Sequence, residues 1–139
     1  MSQLLLHLWG DYMTQSQWMA DNKTKAWFPA LAHATIYSLP FFLIGSWKAV
    51  LVIWATHYLI DRYRLARYVC WAKNWIAPKE WKFIAEIPDW RHIHPQWPWK
   101  ACVKTGYPPN VPDWLSVWLL IIADNTLHLT INYVALLYL

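Results

Sequence analysis

The feature that this 139-residue chain most conspicuously lacks is charge. Only 14% of its residues are Asp, Glu, Lys or Arg, whereas a soluble globular domain contains about 25%. Hydrophobic residues make up 58% of the chain, and 13 of its residues are Trp. Long apolar segments with aromatic residues at their ends are typical of helical membrane proteins. The composition therefore argues against a soluble domain, and the length is that of one domain.

Several motifs of common functional classes are also missing. No basic tract stands apart from the positive charges beside the apolar segments, and the net charge is only +4, so we expect no nucleic-acid partner. The sequence contains no glycine-rich phosphate loop and no Gly-x-Ser-x-Gly motif. These absences argue against phosphate binding by such a loop and against a serine nucleophile of that type. The first residues lack a basic region and a cleavage site, so we expect no removed signal peptide. Cys70 and Cys102 have no CxxC spacing, and we interpret both as structural thiols.

Four apolar segments predict an all-α, integral membrane four-helix bundle that forms a single domain over residues 1–139. We expect helices at about residues 3–20, 27–45, 48–75 and 113–139, and a Trp- and Pro-rich cytosolic loop at about residues 76–112. Eleven of the twelve Lys and Arg residues fall in the two segments 21–26 and 62–104. Positive charge favours the cytosolic side, so this pattern predicts a multi-pass topology with both termini outside the cytosol.

Ionisable residues recur in these apolar segments at helical spacing. Residues four apart share one helix face, and this spacing joins His7 to Asp11, His33 to Tyr37, His57 to Asp61, and Asp124 to His128. Counted from the predicted cytosolic ends at about 1.5 Å per residue, all eight lie in one layer about 9–21 Å deep. Ionisable groups in such segments are costly, so a functional site is the default interpretation.

Imidazole and carboxylate ligands together suit Zn, Mn or Fe. We therefore predict a site inside the membrane for one or two divalent transition metal ions. The predicted ligands are Asp11, His57, Asp61, Asp124 and His128, followed by His7 and His33. Two interpretations without a metal remain open, namely a structural network of hydrogen bonds and ion pairs, and a proton or ion pathway.

Three arginines, Arg62, Arg64 and Arg67, lie just below the predicted layer. Their simplest interpretation is the excess of positive charge on the cytosolic side. A second interpretation is a site for a phosphate head group, because guanidinium groups bind phosphate oxygens in pairs.

The motifs as a set resemble a known family. They include Leu-Leu-Leu-His7-Leu-Trp-Gly10-Asp11-Tyr, followed by Gln15, Met19, Lys23 and His33, then His57-Tyr-Leu-Ile-Asp61 and Asp124-Asn-Thr-Leu-His128. This pattern resembles an uncharacterised family of small polytopic inner-membrane proteins of bacteria and phages, a domain of unknown function. The resemblance covers nearly the whole chain and implies a bacterial inner-membrane location. Tyr12 and Asn125 stand where the family often has Phe and Gln, and neither change affects the proposed ligands.

His-x-x-x-Asp in apolar helices is also similar to a motif of membrane-bound metal-dependent hydrolases. That resemblance implies a metal-dependent phosphoesterase in which Asp11 and Asp61 are catalytic and the metal activates a water molecule. The substrate would be a phospholipid or a lipid-linked phosphate, and membrane lipid the partner. Alternatives are a small channel or proton pathway built as a homo-oligomer, and a non-enzymatic phage or prophage membrane factor.

Overall fold

The computed structural model describes residues 2–76, 98–109 and 111–139, and all the regular structure in these ranges is helical. The helices are α1 (Ser2–Leu8), α2 (Gln17–Asn22), α3 (Trp27–Ser38), α4 (Trp47–Tyr63), α5 (Ala66–Ile76), α6 (Trp99–Cys102) and α7 (Asp113–Tyr138). A π-helical turn, Trp9–Met13, follows α1, and a 3-10 helix, Leu39–Leu43, follows α3. The chain divides into two compact units, one comprising Met1–Leu65 with Asn125–Leu139 and the other Ala66–Asp124.

The four-helix membrane bundle predicted from the sequence is wrong. Among the described helices only α7, with 26 residues and a mean hydropathy of 1.4, is long and apolar enough to cross a membrane. Helices α1, α3 and α4 have 7, 12 and 17 residues, whereas a span needs about 20. One such helix, judged by length and composition alone, is weak support for a membrane location. It does not support a multi-pass topology in the inner membrane.

Local chemistry explains where the predicted long helices are interrupted. Ser16 caps α2, because its Oγ accepts a hydrogen bond from the backbone N–H of Met19 at 3.3 Å. Pro40 has no N–H to donate, and the backbone changes from α3 to the 3-10 helix just before it. Ser46 caps α4 in the same way as Ser16 caps α2. Ser16 and Pro40 thus begin or end a helix inside a segment that hydropathy alone joins into one span, and Ser46 lies in the predicted connection between two spans.

The core of the first unit lies where α3, α4 and the last part of α7 meet. It contains Tyr37, Phe41, Ile53 and Ala135, all at most 2% exposed. Many large apolar side chains of the same unit remain on its surface, and Leu43 at the end of the 3-10 helix is 81% exposed. The apolar residues of this unit therefore both fill a small core and cover much of its outside.

The second unit consists of α5, α6 and the beginning of α7. The guanidinium of Arg67 lies 5.1 Å from the ring centre of Tyr68 and 5.3 Å from that of Trp99. Cys70 and Cys102 are free thiols, and both are buried. The predicted cytosolic loop, residues 76–112, falls within this unit, and its residues 77–97 and 110 lie outside the described part of the chain.

Candidate metal centre

The first unit gathers five Asp and His side chains from four elements. Asp11 comes from the π-helical turn, His33 from α3, His57 and Asp61 from α4, and His128 from α7. On α4 the helical period places His57 one turn before Asp61, and Nε2 of the imidazole lies 3.3 Å from Oδ2 of the carboxylate. The Asp11 side chain is 12% exposed, and the other four are at most 4% exposed.

The π-helical turn brings Asp11 to this cluster. In that turn the N–H of Thr14 donates to the carbonyl of Trp9, five residues earlier, at 3.1 Å. Gly10 lets the turn pack against the ring of Tyr37, because a Cβ at this position would collide with Cδ2 of that ring. Single π-helical turns occur often at functional sites. The wide π-helical turn and the missing side chain of Gly10 together place the Asp11 carboxylate beside the Nε2 atoms of His33 and His57.

The distances within the cluster match the ligand shell of a small metal ion. Nε2 of His33 and Nε2 of His57 are 3.0 Å apart. Oδ1 of Asp11 lies 3.3 and 3.5 Å from these nitrogens, and Oδ2 of Asp61 lies 3.2 and 3.3 Å from them. Ligands bound tetrahedrally at 2.0–2.1 Å are about 3.3–3.4 Å from one another. Each carboxylate oxygen, taken together with the two nitrogens, is therefore spaced as three ligands of a single ion would be.

The hydrogen bonding in the cluster is incomplete. Oδ1 of Asp11 is buried and makes no hydrogen bond within the described structure, although it faces two imidazole nitrogens. The other ring nitrogens, Nδ1 of His33 and Nδ1 of His57, are also buried without a hydrogen-bond partner there. Buried polar atoms are nearly always paired. A cation bound to this carboxylate oxygen and to the two imidazole nitrogens would supply the contact that the oxygen does not obtain from a hydrogen bond.

His128 extends the cluster on the other side of Asp61. Its Nε2 lies 3.6 Å from Oδ1 of Asp61, and its ring centre is 4.2 Å from that of His57. The structure thus contains two overlapping groups of potential ligands, Asp11 with His33 and His57, and His57 with Asp61 and His128. Asp61 could therefore bind the same ion as the first group or join two adjacent positions.

Lys23 supplies a positive charge at the edge of the cluster. Its Nζ donates to Oδ2 of Asp61 at 2.8 Å, and its side chain is 20% exposed. The guanidinium of Arg62, the next residue on α4, donates to the backbone carbonyls of Thr24 and Lys25. Arg62 therefore ties α4 to the turn that carries Lys23, and this turn holds the ammonium group beside Asp61.

The cluster shifts the pKa of each group in a definite direction. Burial by itself would raise the pKa of Asp61, but the imidazoles of His128, His33 and His57 hold that pKa well below its usual value. Burial also tends to raise the pKa of Asp11, and chiefly His33 lowers it on balance. For His57 burial dominates and lowers the pKa to about 4. Burial lowers the pKa of His33 less than the two carboxylates raise it. Without a metal, the cluster thus favours the charged form of both carboxylates and shifts the pKa values of His33 and His57 in opposite directions.

The sequence predicts His7 as a ligand. In the structure His7 is in neither ligand group of the described residues and instead contacts Asp11. Its Nδ1 lies 2.8 Å from the hydroxyl of Tyr37 and 3.5 Å from Oδ2 of Asp11. Its Nε2 lies 2.9 Å from Oδ1 of Asn125, whose amide in turn donates to the hydroxyl of Tyr12. His7 therefore positions Asp11, as partners behind metal ligands commonly do.

Tyr37 connects this outer layer to an imidazole of the cluster. Its ring is stacked on His57 with ring centres 3.6 Å apart and an angle of 17° between the planes. Its hydroxyl accepts a hydrogen bond from Nδ2 of Asn132 at 2.7 Å. The side chains of two asparagines and a tyrosine thus support the cluster, and helical spacing gives no signal for either asparagine.

The remaining predicted site residues are in neither ligand group of the described residues. Asp124 belongs to the second unit and is in neither of the two ligand groups found among the described residues. Arg62 donates to backbone carbonyls of the first unit, and Arg67 donates to the carbonyl of Val103 in the second. The phosphate role of Arg62, Arg64 and Arg67 remains a prediction. Lys23 is the residue of the cluster that the sequence did not predict, because 37 residues separate it from Asp61 along the chain.

Comparison with known proteins gives one family. The sequence profile described as "Protein of unknown function (DUF3307)" matches residues 1–85, more than half of the chain, and this range includes Asp11, Lys23, His33, His57 and Asp61. No curated protein and no solved structure matches the chain. The match confirms the resemblance to an uncharacterised domain, and it carries no information on membrane location, biological origin or hydrolase activity.

Proposed function

The chain belongs to the DUF3307 family of proteins of unknown function, and we propose that its first unit binds a divalent transition metal ion between Asp11, His33, His57 and Asp61. The observation that carries this proposal is the spacing of each carboxylate oxygen and the two Nε2 atoms, which lie 3.0–3.5 Å apart within each set of three atoms. Two imidazoles with two carboxylates suit Zn, Mn or Fe. His128 is the candidate for a further ligand.

The charges of the cluster support the same proposal. A divalent cation would balance the carboxylates of Asp11 and Asp61, whose negative charges share a largely buried site. Ligating imidazoles are neutral, so binding would favour the uncharged form of His33, whose pKa the two carboxylates raise in the metal-free protein. It would also give a ligand contact to Oδ1 of Asp11, which faces two imidazole nitrogens and makes no hydrogen bond within the described structure.

The reaction that we propose is hydrolysis of a phosphate ester. A bound metal ion of this kind activates a water molecule and neutralises charge on a phosphoryl oxygen. Asp11 and Asp61 would be the catalytic carboxylates, because each lies within 3.5 Å of both ligand nitrogens. Lys23, whose side chain is 20% exposed beside Asp61, marks the edge of the cluster from which a substrate would approach.

We further propose that the ester belongs to a lipid and that the protein acts at the bacterial inner membrane. Three aromatic side chains flank the turn that carries Lys23, and Trp18, Trp27 and Phe28 are 48%, 63% and 56% exposed. Phe28 packs edge-on against both indole rings, with ring centres 6.0 and 5.7 Å apart. Exposed Trp residues favour the level of lipid head groups. These rings would hold the entrance of the site at the membrane surface.

The contact between Lys23 and Asp61 favours a second candidate, a structural ion-pair network without metal. In this alternative the ammonium group of Lys23 permanently balances the carboxylate of Asp61, and the imidazole of His33, which faces both carboxylates, completes the network. The network would then stabilise the fold and perform no chemistry. Metal binding separates the two candidates, because a permanent ion pair leaves no position for a divalent ion.

Metal content of the purified full-length protein tests the metal centre. We expect about one equivalent of a transition metal per chain in non-ionic detergent without chelators, measured by inductively coupled plasma mass spectrometry. Asp11→Asn should lower the affinity by about tenfold or more, since it removes the charge of one ligand. Asp113→Asn is the matched control, because the Asp113 side chain is 82% exposed and pairs with Lys104. Less than about a tenth of an equivalent, even after dialysis against Zn, Mn or Fe(II), would refute the metal centre.

Phosphate release tests the reaction separately. The metal-loaded protein should release phosphate from phosphatidic acid in mixed micelles, a chelator should stop the reaction, and added metal should restore it. Asp11→Asn and Asp113→Asn again provide the inactive variant and its control. A stoichiometric metal without turnover of any phosphate ester, lipid or soluble, would leave the metal centre intact and refute the hydrolase.

A further inference from the structure

Lys23 contacts a carboxylate oxygen of Asp61 that a bound metal ion would also contact. Its Nζ is 2.8 Å from Oδ2 of Asp61, and the same oxygen lies 3.2 and 3.3 Å from the ligand nitrogens of His33 and His57. An ion bound by Oδ2 would therefore share this oxygen with the ammonium group. Lys23 is 20% exposed, more than any of the potential ligands, so it lies at the solvent edge of the cluster.

The count of charges shows what the loaded cluster would need. Two carboxylates contribute −2, a divalent ion +2, neutral imidazoles nothing and Lys23 +1, which leaves a net charge of +1. Two cations that share one carboxylate oxygen also repel each other. An oxyanion that contacts both cations would remove the repulsion and the excess charge. The loaded site should therefore attract an anion at the edge where Lys23 lies.

We propose that Lys23 is a substrate-binding residue, which leaves Asp61 when the metal is bound and binds a phosphate-type oxyanion together with the metal ion. This inference rests on the proposed metal centre and names the chemical class of its substrate. Arg62 is the positioning residue, since its hydrogen bonds to the carbonyls of Thr24 and Lys25 keep the turn beside α4. A compact ammonium group on a flexible stem suits this change of partner.

Calorimetric titration of the full-length, zinc-loaded protein with inorganic phosphate tests this inference. The variant is Lys23→Met, and the matched control is Lys25→Met, whose side chain is exposed on the same turn. We expect Lys23→Met to bind zinc at least as tightly as the wild type, because the competing ammonium group is gone. It should bind phosphate about tenfold to a hundredfold more weakly, the loss expected for one charge-assisted hydrogen bond. Lys25→Met should bind both ligands as the wild type does.

Three results would overturn the inference. The first is equal phosphate affinity of zinc-loaded wild type and Lys23→Met, and the second is no phosphate binding to the zinc-loaded wild type. The third is a loss of zinc from Lys23→Met as large as that from Asp11→Asn, which would make Lys23 a support for Asp61. Zinc content is measured independently, so a wild type that binds no zinc identifies a failure of the metal centre itself. Lys23→Gln replaces the methionine variant if circular dichroism shows that the latter unfolds.

Vesicles distinguish the two sources of the same phosphate group. Phosphatidylcholine vesicles with and without phosphatidic acid are titrated against zinc-loaded wild type and Lys23→Met. Tighter binding to phosphatidic acid than to inorganic phosphate, lost in Lys23→Met, assigns the site to a lipid head group. Equal or tighter binding of inorganic phosphate assigns it to a soluble phosphate. Vesicle binding that is unchanged in Lys23→Met contradicts a role for this residue in holding the anion.

Discussion

Replacing Asp61 by Asn removes a negative charge that four side chains share, while the shape of the residue is almost unchanged. The carboxylate contacts the ammonium group of Lys23 and the imidazoles of His33, His57 and His128 at 2.8–3.6 Å. The substitution therefore acts on two quantities, the stability of the metal-free protein and the affinity for metal. The two effects can be measured separately, because only one of them depends on added metal.

The structure sets the size of both effects. Removing one partner of a fully buried ion pair costs about 3–5 kcal/mol. Lys23 retains 20% exposure and can turn to solvent, so we expect a smaller loss of about 1–3 kcal/mol in the metal-free protein. Metal at about a hundred times its dissociation constant should stabilise the wild type by about 2.7 kcal/mol. That gain corresponds to a rise in Tm of about 5–10 °C for a chain of this size, and we expect no such rise for Asp61→Asn.

Thermal and urea denaturation, each with and without zinc, provide the assay. Asp113→Asn is the control, since the pair that it breaks is exposed and should cost at most about 0.5 kcal/mol. This variant should show the full increase in Tm on addition of zinc. An equal zinc-dependent increase in wild type and Asp61→Asn would place the bound metal outside this cluster and refute the reasoning. A metal-free Asp61→Asn as stable as the wild type would show that the contact between Asp61 and Lys23 contributes little to the fold.

Two further predictions concern the support of the cluster and its response to pH. Tyr37→Phe removes the hydroxyl beside His7 and Asn132, so zinc affinity should fall by about 10- to 100-fold in equilibrium dialysis. Tyr133→Phe is the control, because the Tyr133 side chain is 57% exposed, and equal affinities of the two variants would contradict a supporting role for Tyr37. Because burial lowers the pKa of His57 to about 4, unfolded His57 binds a proton between pH 6.5 and 4 that the native protein excludes. The free energy of unfolding of the metal-free protein should therefore decrease as pH falls through this interval. Urea denaturation that gives a constant free energy across the interval would refute the lowered pKa of His57.

Helical periodicity allowed part of the site to be predicted from the sequence. His57 and Asp61 lie one turn apart on α4 and 3.3 Å from each other, and His7 and Asp11 lie 3.5 Å apart. Spacing alone is sufficient for such pairs, because the geometry of one helical turn is local and independent of the rest of the fold. The match of carboxylate and imidazole to transition metals is likewise a property of the residue types.

Hydropathy was a poor guide to the length of the helices. It joined α1, the π-helical turn and α2 into one segment, and α3 and the 3-10 helix into another. Hydropathy averages over a window, whereas helix ends depend on single residues such as Ser16, Pro40 and Ser46. The four-span bundle failed for this reason, since the interrupted helices are too short for a span.

The sequence by itself determined which Asp and His residues share a helix face. Only the tertiary structure decided that Lys23 pairs with Asp61 and that His7 supports Asp11 from outside the ligand set. It also decided that Asp124 belongs to the other unit. The physical reason is that contacts between distant residues depend on where turns and caps end each helix and on how the helices then pack. Both are set by the whole chain, whereas a spacing of four residues is set by one helical turn.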